Sequence, residues 1–221
     1  MEFERIIRAR FSARAFKRDA VPEPVLVRIL ELAQCTPSWC NTQPWQVIVT
    51  RGVATRRFTD ALYAHAKSGA PTAADFPFPQ AYEGIYRDRR KVCGVQLYQA
   101  LGIGKDDRAA AAEQSLENFR CFGAPHVAIL TTEDKLGVYG LLDCGLYIQS
   151  FMLAAVDAGV DCIAQAALAG YSPFVREFFA IPDHRRIVCG ISFGYAESEA
   201  PINRYRTERA GLDQAVRFVD A

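Results

Sequence analysis

Downstream of Gly123 the chain alternates two kinds of apolar segment that cannot share one conformation. APHVAILTT (124–132) and RIVCGISFGYA (186–196) are short, strongly apolar runs of the kind buried in a sheet. LLDCGLYIQSFMLAAVDAG (141–159) is too long for a strand and reads as a helix, and SPFVREFFAI (172–181) reads as a second, shorter one. Strands separated by helices rather than by hairpin turns predict an α/β or α+β architecture, a mixed or antiparallel sheet sandwiched between helices.

The first half fits the same plan. Phe3, Ile6, Ile7 and Arg10 fall at helical spacing, as do Val25, Ile29, Leu32 and Ala33 after Pro22 and Pro24, so helices are expected over 3–10 and 24–35. Pro37, Asn41 and Pro44 make TPSWCNTQPW a structured loop that leads into the strand-like WQVIVT (45–50). Residues 53–67 and 84–121 read as helical, with GIGKDD (102–107) as a helix connection. Between them, 68–82 carries Pro71, Pro77 and Pro79 among several aromatics, and loops of that length often serve a site.

Half of the 221 residues are hydrophobic, enough for one substantial core, and no repeat or linker interrupts the chain, so a single domain over 1–221 is expected. Lys and Arg number 26 against 25 Asp and Glu, and this balance argues against a polyanionic partner such as nucleic acid. The seven cysteines are scattered through apolar segments with no C-x-x-C pair, which fits reduced thiols in the cytoplasm. Cys35 and Cys40 are too loosely spaced, and too far from any histidine, to read as a metal site. Charges within the first ten residues, and the lack of an uninterrupted apolar run near ~18 residues, argue against a signal peptide and a membrane span. The three histidines show neither metal spacing nor a triad, so no metal is expected. The last 25 residues are polar until AVRFV (215–219), which has strand character. An arm so poor in apolar residues is expected to dock on a partner subunit.

R-F-S-A-R at 10–14 alternates Arg10, Ser12 and Arg14. In an extended chain these point to one side and place two guanidinium forks and a hydroxyl together, a phosphate clamp. A solvated basic turn has the same composition, and the five residues alone do not separate the two.

PSWCNTQPW (37–45) resembles the P-S-S-x-N-x-Q-P-W signature that follows the second helix of nitroreductase-family flavoproteins, and R-F-S-A-R resembles their R-x-S-x-R start, in the same order and separation. The resemblance continues through NFRCFGAPHVAIL (118–130), DCGLYIQSFMLAAVDAGVDC (143–162), VREFFAIP (175–182), the strand ending SFGYA and the R-A-G-L of the C-terminal arm.

The resemblance implies a three-layer α+β fold with its C-terminal arm exchanged across a homodimer and FMN held at the dimer interface. It implies Arg10, Phe11, Ser12 and Arg14 beside the FMN phosphate and ribityl chain, joined by Arg209. A monophosphate calls for charge-assisted donors rather than the glycine-lined helix terminus that holds a pyrophosphate, and no G-x-G-x-x-G is present. By the same resemblance Pro37, Ser38, Trp39 and Asn41 reach the flavin from the opposite subunit, with Trp39 replacing the commoner serine. Asn118 and Arg120 fall near its pyrimidine edge. Gln165, Ala166 and Ala167 fall along its dimethylbenzene and N5 side, without the glutamate and glycine of some members. Phe76, Phe78, Tyr82 and Tyr86 lie in or beside the loop that borders the family's substrate channel.

The activity that the resemblance implies is that of a ping-pong oxidoreductase. NADH or NADPH reduces the flavin, and a small planar acceptor, a nitroaromatic, quinone or electron-poor alkene, then stacks in the same place. No side chain is required as a covalent catalyst. A family branch with another flavin reaction, and a flavin-binding protein without turnover, are the alternatives.

Overall fold

The computed structural model describes residues 2–220. Four strands, β1 (Gln46–Val49), β2 (His126–Glu133), β3 (Asp161–Gln165) and β4 (Arg185–Gly194), form one sheet in the order β1-β2-β4-β3 with every pairing antiparallel. Parallel pairing to a strand of this sheet is limited, among the described residues, to the isolated bridge of Ser12 with Cys162 at the β3 edge.

Alternation along β2 sets the layers. Ala128 and Leu130 face a core built with α2 (Glu23–Gln34) and α6 (Gly137–Asp157), where Leu26, Ile29, Tyr147 and Phe151 are buried. Val127 and Ile129 face a second core with α3 (Val53–Lys67), α7 (Ala166–Ala169) and α8 (Ser172–Phe179), around Phe58, Leu62, Leu168 and Val175. The sheet is therefore the middle of three layers.

A bulge between Leu130 and Thr131 steps the register from Cys189 to Ile187, passing over Val188. One extra residue exchanges the faces of β4: Val188 and Ile191 pack on the α6 side although one is even-numbered and the other odd, and Ile187 packs on the α8 side. Gly190 has no room for a side chain, because an added Cβ would overlap the fully buried Leu168.

Helices α1 (Phe3–Ala9), α2, α3, α6 and α8 and strands β1, β2 and β4 lie where the spacing predicts them, within a few residues at each end. The helical region over 84–121 is two helices, α4 (Gly84–Ala100) and α5 (Arg108–Leu116), joined as expected through GIGKDD, where Gly102 takes a φ of +67°, and a turn with Cys121 and Phe122 left-handed follows. Two expectations change. β3 is a strand where the sequence shows only an irregular run, its five residues too few to display a period. AVRFV forms no strand: 215–219 is exposed and lacks a pairing partner among the described residues. Asp134–Asp157 is long and apolar enough to cross a membrane by length and composition. Asp143 interrupts it, and one side is packed on β2, β3 and α2 as the core helix.

Candidate functional site

The R-F-S-A-R run leaves α1 in an extended conformation and lies along β3, where Ala13 N–H donates to the Cys162 carbonyl at 3.2 Å, and just beyond it Lys17 N–H donates to the Tyr195 carbonyl after β4 at 2.8 Å. Strand periodicity turns Arg10, Ser12 and Arg14 to one side. Ala13 is buried with Phe16, Phe122 and Ile163, while Arg10, Ser12 and Arg14 face a cavity of 1090 Å³ together with Phe11. Gln149 and Met152 of α6 and Ala164 of β3 complete its floor, and Arg206 and Arg209 of the C-terminal arm its rim.

The arm is tied to this run by a residue that the sequence did not single out. Asn203, buried after the turn at Pro201, accepts from the Arg14 N–H at 2.8 Å and donates to the carbonyls of Ala15 at 2.8 Å and Glu197 at 2.9 Å. Arg14 Nη1 donates to the Tyr205 hydroxyl at 3.0 Å and the Ser12 carbonyl at 3.2 Å. Arg206 lies 3.9 Å over the Phe11 ring and donates to the carbonyls of Asn203 and Tyr205, and Arg209 donates to Thr207 and Glu208. None of Arg10, Arg14, Arg206 and Arg209 forms an ion pair among the described residues. The one acid on the cavity wall, Glu4, is bonded to Arg8 at 2.9 Å. Four guanidinium groups with no carboxylate partner among the described residues, beside a hydroxyl, are an anion-binding set, and the volume exceeds the roughly 300–1,000 Å³ common for cofactor pockets.

The other signature residues lie elsewhere on the same chain. Pro37, Ser38, Trp39 and Asn41 do not line this cavity; they form an exposed loop at the side of α6, with Trp39 66% exposed and its ring 5.5 Å from that of Tyr139. Cys40, Asn41 and Gln43 all have left-handed φ, at 50°, 54° and 45°. The loop is cross-tied by Gln43 N–H to Ser38 Oγ at 2.9 Å and by Gln34, which donates to Gln43 Oε1 and accepts from Trp45 Nε1, each at 3.0 Å.

Gln165 is buried and its side chain turns inward: Nε2 donates to the Asn118 carbonyl at 2.9 Å, and Oε1 accepts from Ser192. Asn118 and Gln165 thus meet, joining β3 to the segment after α5, and what Gln165 leaves to the site is its backbone. Ala166 and Ala167 open α7, whose first N–H groups have no intrahelical acceptor. Arg120 turns toward α3, 3.9 Å over the Tyr63 ring and bonded to Glu117 at 3.2 Å. Phe78 lies against Gly170 at the end of α7, Tyr82 lies under the Arg90 guanidinium, Tyr86 is exposed on α4, and Phe76 is half-buried.

Four of the cysteines and His65 are absorbed by packing, while Cys35, Cys40 and His184 are exposed. Burial pushes the thiols of Cys121 and Cys162 up to about 12, and those of Cys144 and Cys189 to about 11, so all four stay protonated. His65 is stacked on Phe174, and His184 lies 3.7 Å from Glu133.

Comparison with known proteins places the whole chain. The sequence profile of the nitroreductase family covers residues 7–195. The chain is 39% identical to nitroreductase NfnB of Mycolicibacterium smegmatis over 97% of this chain and 92% of that protein. It is 36% identical to a 4-nitrobenzoate reductase of a Nocardioides species, over 98% and 90% of the two. The crystal structure of the FMN-dependent nitroreductase NfnB from Mycobacterium smegmatis in complex with NADPH superposes with a TM-score of 0.92, over 98% of this chain and 97% of that one. A basic cavity between α1, α6 and the arm, the strained loop after α2 and a match along nearly the whole length together show that the chain belongs to the nitroreductase family.

Proposed function

We propose that this protein is an FMN-dependent NAD(P)H oxidoreductase that reduces nitroaromatic, quinone or similar conjugated acceptors in alternating half-reactions. The observation that carries the reading is the cavity on which Arg10, Arg14, Arg206 and Arg209 have no ion-pair partner among the described residues, in a chain of this family. Bound FMN supplies the hydride chemistry at its N5 position.

The chain's own residues bind and orient. Arg10, Ser12, Arg14 and Arg209 are suited to the phosphate, Phe11 and Met152 to apolar contact, and the N–H groups of Ala166 and Ala167 to a ring nitrogen. Phe78, beside α7, together with Phe76, Tyr82 and Tyr86, offers aromatic surface for a flat acceptor. NADPH is the electron donor named for the similar NfnB structure, and either nicotinamide fits the reading.

The same reading makes the enzyme a homodimer. Val138, Tyr139, Leu142 and Leu146 form an exposed apolar stripe on α6 that continues into Gln149 and Met152 of the cavity. Leu212, Val216, Phe218 and Val219 are exposed on the arm. A second copy would cover both and bring Pro37, Ser38, Trp39 and Asn41 to the flavin.

An absorbance spectrum of the purified protein, followed anaerobically by NADH and then NADPH, tests this. Flavin bands that bleach and return on adding a nitroaromatic or a quinone are expected. A colourless protein that takes up no added FMN would overturn the reading, and a flavin that no nicotinamide reduces would leave a binding protein without turnover.

A further inference from the structure

The loop from Pro37 to Trp45 is held at both ends by buried charged side chains that belong to neither motif. At its entry Asp143, on α6 and 4% exposed, accepts the Trp39 N–H at 3.1 Å. At its exit Arg185, opening β4 and 6% exposed, donates from Nη2 to the Pro44 carbonyl at 2.9 Å and to the Thr131 carbonyl at 2.8 Å, and from Nε to Thr131 Oγ1 at 3.1 Å. Thr131 flanks the bulge in β2. Every acceptor of Arg185 is a neutral oxygen, and neither charge forms an ion pair among the described residues. Asp143 thus holds one end of the loop through Trp39 and Arg185 the other through Pro44.

Between the two anchors the backbone is strained. Left-handed φ at Cys40, Asn41 and Gln43 is disfavoured for residues with a Cβ and persists where the surroundings over-determine it. Trp39, Cys40 and Asn41 are exposed, so packing within their own chain does not impose it.

We propose that Asp143 and Arg185 are positioning residues that clamp the Pro37–Trp45 loop in the conformation one subunit presents to the flavin of the other, without touching that flavin. The proposal rests on the FMN-dependent homodimer described above. A loop already in its bound shape loses less freedom when it closes on the cofactor, and that saving appears as affinity.

The test compares the full-length wild type with Asp143→Leu, Asp143→Asn and Arg185→Met by amide hydrogen exchange, FMN affinity from flavin fluorescence and thermal melting. Asn keeps an oxygen that accepts the Trp39 N–H, and Leu does not. Asp143→Leu is expected to speed exchange at 39–43 and weaken FMN binding roughly tenfold, with Asp143→Asn staying within about threefold of wild type. Arg185→Met is expected to reproduce the first pattern, and decides the matter if Asp143→Leu does not fold. Unchanged exchange at 39–43 in the Leu variant would overturn the clamp. So would an Asn variant as impaired as Leu with exchange rising along the whole of α6, the mark of a residue serving only the core. A wild type that takes up no FMN would refute the cofactor reading, and the exchange data would still decide the clamp.

Discussion

His126 Nε2 accepts the Val21 N–H at 3.0 Å and its Nδ1 lies 3.1 Å from the Thr50 carbonyl, so the neutral ring with its proton on Nδ1 satisfies both. Desolvation by burial lowers its pKa, outweighing the opposing bond to Thr50, and Arg51 adds to the lowering. A histidine depressed in the folded state contributes stability that is full above its unfolded pKa of about 6.5 and is lost as pH falls through the lower folded value. Urea unfolding between pH 7 and pH 5 is therefore expected to show a steeper loss of stability in wild type than in His126→Phe. Parallel pH profiles would refute this role. Residue type alone did not separate such a structural histidine from a catalytic one, because the separation depends on what lies across from each ring nitrogen. Arg10, Ser12 and Arg14 were readable, because alternation in an extended chain is a property of the local backbone. Gln165 was not: its inward turn depends on Ser192 and Asn118, which reach it from other elements.

At the scale of elements, the proline-marked loop before α4 is ordered in its first half by one acid. Asp75 accepts from Arg176 at 2.6 Å and from the Ile187 N–H at 2.7 Å, its own N–H donates to Ser172 Oγ, and Ala73 N–H donates to the Gly170 carbonyl. From Pro77 onward the loop is exposed, so Phe78 projects from an anchored base. Asp75→Ala removes a largely buried partner and leaves Arg176 without its carboxylate, a change worth about 3–5 kcal/mol. The loss is expected in denaturant unfolding together with faster proteolysis within 76–86. Proteolysis at the wild-type rate would show that the anchor does not control the loop. Prolines forecast the loop, but its anchor needs β4 and α8 in place, contacts about a hundred residues away in sequence. The same limit hid β3, whose five residues become a strand by pairing with β4.

For the whole molecule, the apolar residues of α6 divide between two surfaces. Tyr147, Phe151 and Ala154 enter the core, while Val138, Tyr139, Leu142 and Leu146 stay on the outside. On the homodimer proposed above, Leu142→Lys with Leu146→Lys alters exposed positions of each chain only, so circular dichroism is expected to be unchanged while light scattering falls from the mass of two chains to that of one and FMN is released. A double variant that keeps the dimer mass would place the interface elsewhere.

Most helices, three of the four strands, the layering of helices on a sheet and the two family signatures were legible in the sequence, because periodicity, prolines and short motifs are local. Tertiary structure decided the strand order and the bulge that exchanges the faces of β4. It also gathered four guanidinium groups from the two ends of the chain on one cavity, and set two buried charges at the ends of a strained loop. These depend on residues that meet only once the sheet has formed, and neither spacing nor composition encodes a partner so far away along the chain.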